Sequence, residues 1–473
     1  MNRSIATSGV SLVLIAALSA CQVGHDFKRP QSSDVQWLPI QGEQAASHIN
    51  TTPYKVRWWE IFRDARLSSL IDRATASNLD LRMAEARLAQ SRAARQVVAG
   101  EQVPSVDGKF GYQHKRNSAE GLNDPSGNQG REAFSQWDGG LNASWEIDLW
   151  GRVKREVEAA DANVDVAEND RRAALLSLQA EVARDYLQLR GTQAVLAVTR
   201  QNLQLSRNSL DLSKVRQSSG VATDLDVAEA AAQVSAVESR LPILEQRQSR
   251  LINALSLLLA QSPRALQSEL ETPMDMAAVP ATVPVGLPSE LAQRRPDIRR
   301  AEARLHAATA SIGVAQGDFY PRIVLSGNVG FQALQLSDFG SWGSRQFGIG
   351  PQLSLPIFEG GRLRGMVRLR EAQEQEAALA YQQTVLRAWQ EIDDSMSLYN
   401  ASQLQQRKLD DAVHQNRIAL DTAKRQYKEG VVDFLNVLTV QRTLLDIEEQ
   451  WVQSSTTQAQ ALVGLYSALG GGW

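Results

Sequence analysis

Few residues in this chain stand where they could make or break bonds. The five histidines, His25, His48, His114, His306 and His414, are scattered, with no His-x-x-x-His pair and no cysteine partner to complete a zinc site. No glycine loop opens a helix in the pattern that cradles phosphate. The adjacent acids Asp393-Asp394 and Glu448-Glu449 lie on helical heptads and read as solvated faces. A formal net charge of −3 gives no electrostatic case for nucleic acid. These residues predict no enzyme, no metal and no cofactor. The one side chain placed for chemistry is the single thiol, Cys21, at the end of Leu18-Ser19-Ala20-Cys21. Arg3 and the apolar run from Val10 to Leu18 make residues 1–20 an export signal, too short to span a bilayer as a mature helix. An exported chain with one thiol has no internal disulfide, so packing must hold it together.

A small-residue site directly before cysteine resembles the bacterial lipobox, in which the cysteine is acylated and becomes the first residue. A covalent lipid on Cys21 is then the only added group. One such group anchors weakly unless a second signal helps. By resemblance to sorted lipoproteins, Gln22 favours the outer membrane. No later stretch approaches about 18 uninterrupted apolar residues, so no transmembrane helix is expected.

The scaffold that must place these ends is a duplication. Gly151-Arg152 returns as Gly361-Arg362, Gly220-Val221 as Gly430-Val431, and Leu255 as Leu465, always 210 residues on. Upstream the step is 217, from Ala84-Glu85-Ala86-Arg87-Leu88 to Ala301-Glu302-Ala303-Arg304-Leu305. The organisation that follows is an N-terminal segment (21–76), a first repeat (77–260), a proline-rich link (261–292) and a second repeat (293–473). Each repeat holds a leading helix, a β-hairpin (104–149 and 321–357) and a long helical hairpin (152–260 and 361–469).

No proline lies between Ser126 and Leu241, or after Pro356. Proline costs about 3 kcal/mol inside a helix, so these windows can hold long ones. Leu175, Val182, Leu189, Leu196, Leu203 and Leu210 recur every seven residues. Val385, Ile392, Tyr399, Gln406, Val413 and Leu420 repeat the pattern with one polar lapse. Such heptads imply left-handed supercoiling against neighbours, and a helix from Arg152 to Ser218 would run roughly 100 Å. Each long helix stops at a glycine, Gly220 or Gly430, and a second heptad helix returns. Pro242 is expected to kink the first of these.

The only strand-like runs alternate apolar and polar residues, such as Val106, Gly108, Phe110 and Tyr112 against Asp107, Lys109 and Gln113. Trp137 to Ile147, Ile323 to Phe331 and Phe347 to Leu355 alternate likewise. Each is roughly ten residues long with aromatics near its ends, the length and period of a membrane-spanning strand. Four strands cannot close a barrel, and open edges are not tolerated in lipid. The chain must oligomerise to eight, twelve or sixteen strands.

Several dispersed motifs carry a resemblance: Trp58-Trp59-x-x-Phe62-x-Asp64-x-x-Leu67, Arg294-Arg295-Pro296-Asp297-Ile298, Ala315-x-x-x-Phe319-Tyr320-Pro321, Phe358-Glu359-Gly360-Gly361, and Tyr427-x-x-Gly430 with Leu435-x-Val437-Leu438-x-x-Gln441. With them the whole mature chain resembles the trimeric TolC-like outer-membrane efflux channels, nearest the lipoprotein branch that serves resistance-nodulation-division pumps (OprM-like, NodT-like). The resemblance implies a mainly α protein with a transmembrane β-barrel, twelve strands shared by a homotrimer, and a periplasmic helical barrel. It implies docking of the Gly220-Val221 and Gly430-Val431 tips to a periplasmic adaptor protein, an inner-membrane proton-driven pump as power source, and outer-membrane lipid around the strands. It also implies a periplasmic gate at Asp226, Tyr427, Asn436 and Thr439, the first two forming a polar tether. The last two positions, often acidic in the family, are not acidic here. Asp433, Asp224 and Glu229 are nearby acids, and three-fold repetition would make any of them a ring favouring cations. Helix capping competes for the same residues: Thr223 with Asp226 as a capping box, and Asp433 as an N-cap. Two other functions fit the same chain: the exit channel of a type I protein secretion system, and a pore-less structural lipoprotein that spans the periplasm.

Overall fold

The computed structural model describes residues 22–30, 48–50, 56–118, 132–274, 282–284 and 294–471. The export signal and Cys21 lie outside these described residues. In chain order the elements are β1 (His48–Asn50), α1 (Ala65–Ser77), α2 (Leu79–Ala99), β2 (Ser105–Lys115), β3 (Phe134–Ile147), α3 (Arg152–Ser218), α4 (Asp224–Glu238), α5 (Leu241–Leu258) and α6 (Gln267–Leu270), followed by β4 (Thr282–Pro284), α7 (Pro296–Gly317), β5 (Arg322–Ala333), β6 (Arg345–Ser354), α8 (Arg362–Lys428) and α9 (Phe434–Ala468).

The duplication is visible in the elements themselves. Helices α3 and α8 are each 67 residues long. The heptad positions Val182, Leu189, Leu196 and Leu203 of α3 are buried, as are Val385, Ile392, Tyr399, Val413 and Leu420 of α8. The returning helices differ: α9 is continuous over 35 residues, whereas its counterpart is two helices separated at Ser239 and Arg240. Pro242 therefore breaks the helix where the sequence suggested a kink. It has no N–H to offer the preceding turn, and it sits where the first turn of α5 tolerates it. Buried Val452 stands at the matching place of α9.

Each repeat is also tied at its start to its own last helix. The Asn78 amide donates to the Leu258 carbonyl at 2.9 Å, and the Arg295 guanidinium donates to the Ala468 carbonyl at 2.7 Å. Both donors satisfy helix-end carbonyls that have no partner inside the helix.

The compact units do not follow the repeats. One comprises Met1–Pro30, Arg87–Glu168 and Arg300–Tyr381, and the other Gln31–Ala86, Asn169–Arg299 and Gln382–Trp473. The first contains a four-stranded antiparallel sheet in the order β2-β3-β5-β6. Its helical core is built on small side chains, with Ala162, Ala310 and Ala315 beside Val153 and Ile312. There the described N-terminal residues are pinned by buried Arg155, which donates to the Val23 and Gly24 carbonyls and pairs with Asp26.

The second unit has the larger apolar core, including Trp58, Trp59, Phe62, Leu67, Tyr186, Leu189, Ile252, Leu255, Leu462 and Tyr466. The tryptophan motif fills it: Trp58 stacks on Tyr466 with centroids 5.6 Å apart. Asp64 caps α1 and accepts the Tyr186 hydroxyl at 2.6 Å, and burial pushes that phenol up to about 12. Sequence reading missed one pairing here. His48–Asn50 runs parallel to Thr282–Pro284, so the N-terminal segment and the link form a two-stranded strip. Three-residue strands leave no alternation long enough to read.

Candidate functional site: the helix tip and the sheet face

In the second unit, α3 and α8 end in the same turn. Gly220 has φ +76° and Gly430 has φ +75°, a left-handed conformation that glycine adopts without strain. Val221 N donates to Arg216 O and Gly220 N to Gln217 O; Val431 N donates to Gln426 O and Gly430 N to Tyr427 O. This is the Schellman pattern of bonds at a helix C-terminus. It leaves Val221 and Val431 about two-thirds exposed, with exposed Leu225 and Leu435 on the helices that follow.

The tip is held by a small core of Ala230, Leu420, Tyr427, Phe434, Val437, Leu438 and Leu444. Tyr427 is its centre. Its ring lies 5.3 Å from Phe434, and the Arg216 guanidinium sits 4.5 Å from the ring centroid. Arg216 also donates to the Tyr427 carbonyl at 3.3 Å. Burial raises the phenol above its ordinary range, against the opposing charge of Arg216.

The expected tether between Asp226 and Tyr427 is not a direct hydrogen bond: the Asp226 charge helps raise the Tyr427 phenol, but its carboxylate bonds elsewhere. The Asp226 carboxylate accepts from Thr223 N at 2.8 Å and from the Thr223 hydroxyl at 2.9 Å, closing a complete capping box. A carboxylate three residues from an unpaired N–H takes its hydrogen bonds locally. Asp433 occupies the N-cap position of α9 but makes no side-chain capping bond, so its expected capping role is positional only. It is exposed, as are Asp224, Asn436 and Thr439, while Glu229 is half-buried. The Thr439 hydroxyl bonds back to the Leu435 carbonyl at 2.8 Å.

Beyond the tip core, α3 and α9 meet along polar side chains. The Gln441 amide is buried, donating to the Ser206 hydroxyl at 3.0 Å and accepting from Ser209 at 3.4 Å. The acids Glu448 and Glu449 are not the solvated face that their sequence suggested. Glu448 accepts from Arg417 at 2.8 Å and Asn202 at 3.2 Å, and Glu449 pairs with Arg240 at 3.0 Å. Their partners come from α8, α3 and the break between α4 and α5, which helical periodicity along α9 could not reveal. Asp393 and Asp394 are exposed as expected. Arg216 is the residue that sequence reading missed at the tip, since its ring partner lies in the other repeat.

In the first unit, the register of the sheet sorts its side chains by face. Phe110 pairs with Gly139 and Tyr112 with Trp137. Leu141 pairs with Val329, Trp145 with Leu325 and Ile147 with Ile323. Val329 pairs with Phe347, Gly327 with Ile349 and Ile323 with Leu353. One face is therefore apolar across all four strands, and much of it is bare: Phe110, Leu141, Val329, Phe347, Ile349 and Leu353 are each more than half exposed. The other face carries Asp107, Lys109, Asn142, Asn328 and Gln352. Among the described residues strands β2 and β6 each have one unpaired edge.

Among the described residues no helix is long and apolar enough to cross a membrane, and no cluster of three metal-ligating side chains is present. A family model described as "Outer membrane efflux protein" matches residues 70–261 and 287–471. The chain is 34% identical to the outer membrane protein OprJ of Pseudomonas aeruginosa, over 98% of this chain and 96% of that protein. It is 33% identical to the pyoverdine export outer membrane protein OpmQ of Pseudomonas putida, over 94% and 91% respectively. The solved structure of the outer-membrane channel OprN superposes with a TM-score of 0.87 at 33% identity, over 96% of this chain and all of that one.

Proposed function

We infer the function from one premise: this chain belongs to the outer membrane efflux protein family. It is the outer-membrane exit channel of a tripartite efflux pump, passively conducting small toxic compounds to the exterior, and it works with a periplasmic adaptor and an inner-membrane pump. The observation that carries this reading is the register-aligned apolar face of a four-stranded sheet with both edges unpaired. In water such a face and such edges would aggregate. In a bilayer they are satisfied by lipid and by strands from further copies. The pairing would be completed by three chains and twelve strands, with a lipid on Cys21 as a second hold. A type I secretion channel would use the same scaffold, but the relatives OprJ and OpmQ favour efflux of small molecules.

The gate is the tip. Tyr427, Phe434 and Arg216 lock α8, α9 and α3 together, and iris-like opening separates these helices. Exposed Asp224 and Asp433, repeated three-fold, would ring the entrance with negative charge and favour cations. Exposed Val221, Leu225, Val431 and Leu435 supply the adaptor's apolar seat. Energy comes from the inner-membrane pump, which by resemblance is proton-driven.

The reading is tested by deleting the gene in its host and restoring it, while following a fluorescent dye that pumps export. Dye should accumulate on deletion and clear on restoration. Unchanged accumulation, with an altered profile of secreted proteins, would replace efflux by protein secretion. In planar bilayers Arg216→Ala should raise single-channel conductance; an unchanged value would remove Arg216 from the gate.

A further inference from the structure

The loop between β5 and β6 is seated on the apolar face of the sheet. Phe339 meets Phe110 edge-on at 5.6 Å and Phe331 at 6.0 Å. It stands over Gly139, where a Cβ would come within 2.6 Å of the ring. Only a residue without a side chain leaves room for it. Ser341 N donates to Asp338 O at 3.1 Å and Ser344 N to Ser341 O at 3.2 Å, which shapes the turn carrying Trp342. That indole is 79% exposed. The Arg345 guanidinium lies 3.7 Å from the Trp342 ring centroid and donates to the Trp342 carbonyl.

The register pairs Arg345 with Phe331. This places it on the apolar face, at the loop end of the strands. It is the one formally charged side chain that the four strands put on that face. Among the described residues it has no carboxylate partner; Asp338, the acid of the same loop, takes the Ser337 hydroxyl at 3.5 Å. A cation on an apolar surface is costly unless an anion meets it. Stacking on tryptophan holds the guanidinium flat and leaves its other N–H groups free for an oxygen-rich anion. Aromatic side chains beside a basic one mark the headgroup level of a bilayer.

Resting on the channel reading above, we propose that Trp342 and Arg345, positioned by Phe339, bind the phosphate of a membrane lipid whose acyl chains lie along Phe347, Ile349 and Leu353. Charge complementarity names the occupant: the face is apolar along its length and cationic only at the loop end.

The test uses the full protein in neutral detergent, titrated with phosphatidylglycerol or with phosphatidylcholine and read by native mass spectrometry. The wild type should retain phosphatidylglycerol in preference. Arg345→Ala should weaken that binding about five-fold, the worth of one basic residue at an anionic surface, and leave phosphatidylcholine unchanged. Trp342→Ala should do the same more weakly. Equal retention of both lipids by the wild type overturns the proposal. So does an Arg345→Ala protein whose assembly falls apart before any lipid is added, because the side chain then serves contact between copies. The channel reading fails separately, if the wild type neither inserts into phosphatidylcholine liposomes nor conducts.

Discussion

Replacing Arg295 by alanine should lower the stability of this protein and weaken its response to acid. Arg295 has a side chain only 8% exposed, and it contacts Asp297 at 2.7 Å and Glu391 at 2.6 Å. It also holds the Ala468 carbonyl, the tie that closes the second repeat. Burial alone would raise the Asp297 carboxyl, but the hydrogen bonds and charge of Arg295 outweigh it and hold the carboxyl below its usual range. An acid depressed in this way stabilises the folded state above its unfolded pKa of about 4, and that contribution is lost as pH falls through the lower folded value. Without Arg295 the carboxyl keeps the Ile298 N–H at 3.0 Å but loses the bonds and charge that outweigh burial, so it moves up toward its unfolded value and the stability lost on acidification shrinks. Removing one member of a buried ion pair costs about 3–5 kcal/mol, and the lower end applies because Asp297 and Glu391 are 31% and 48% exposed. The assay is thermal unfolding of the purified protein between pH 3.5 and 7, wild type against Arg295→Ala, with Arg295→Lys as the variant that keeps charge. The wild type should lose stability as pH falls from about 5 downward, the Arg295→Ala curve should fall less steeply there, and Arg295→Lys should lie between them. Parallel curves, or a loss below about 1 kcal/mol at neutral pH, would refute the reasoning.

Asp185 is held up to about 6, first by burial and then by Glu181. A raised acid costs stability as pH climbs from its unfolded value toward 6. Asp185→Asn should therefore gain about 1–3 kcal/mol at neutral pH and flatten the profile between pH 4 and 6; an unchanged profile would show that the carboxyl is solvated. Gly430→Ala meets nothing within 4 Å, so its cost is backbone strain alone, about 1 kcal/mol by unfolding. A larger loss would mean that the tip packs against another chain. Gly140 and Gly330 face one another across β3 and β5, and a Cβ on either would collide with the opposite backbone. Gly330→Val should prevent the chain from assembling in detergent, read by size-exclusion against the wild type, and an unchanged elution would show that the strands can part there.

How much could be read in advance depended on the range of the interaction. Hydrophobic spacing of seven marked the buried faces of α3 and α8, because a helix presents its own periodicity to whatever it packs against. Alternation marked the strands, and the 210-residue echo found both turns at Gly220 and Gly430. The fate of individual polar side chains was not legible. Asp226 could face Tyr427 or its own helix start, and only the coordinates assign it to Thr223. Glu448 and Glu449 look solvated on their own helix and are paired by Arg417, Asn202 and Arg240 from elsewhere in the chain.

The sequence by itself determined the class of element, its length and the need for partners, since these follow from local period, proline exclusion and the glycine that a left-handed turn favours. Tertiary structure decided which arginine covers Tyr427, that His48–Asn50 pairs with Thr282–Pro284, and that Phe339 rests on Gly139 to seat Arg345. Several of these contacts join residues more than two hundred positions apart. Their energy depends on distance and angle in the folded chain, and no local pattern encodes either.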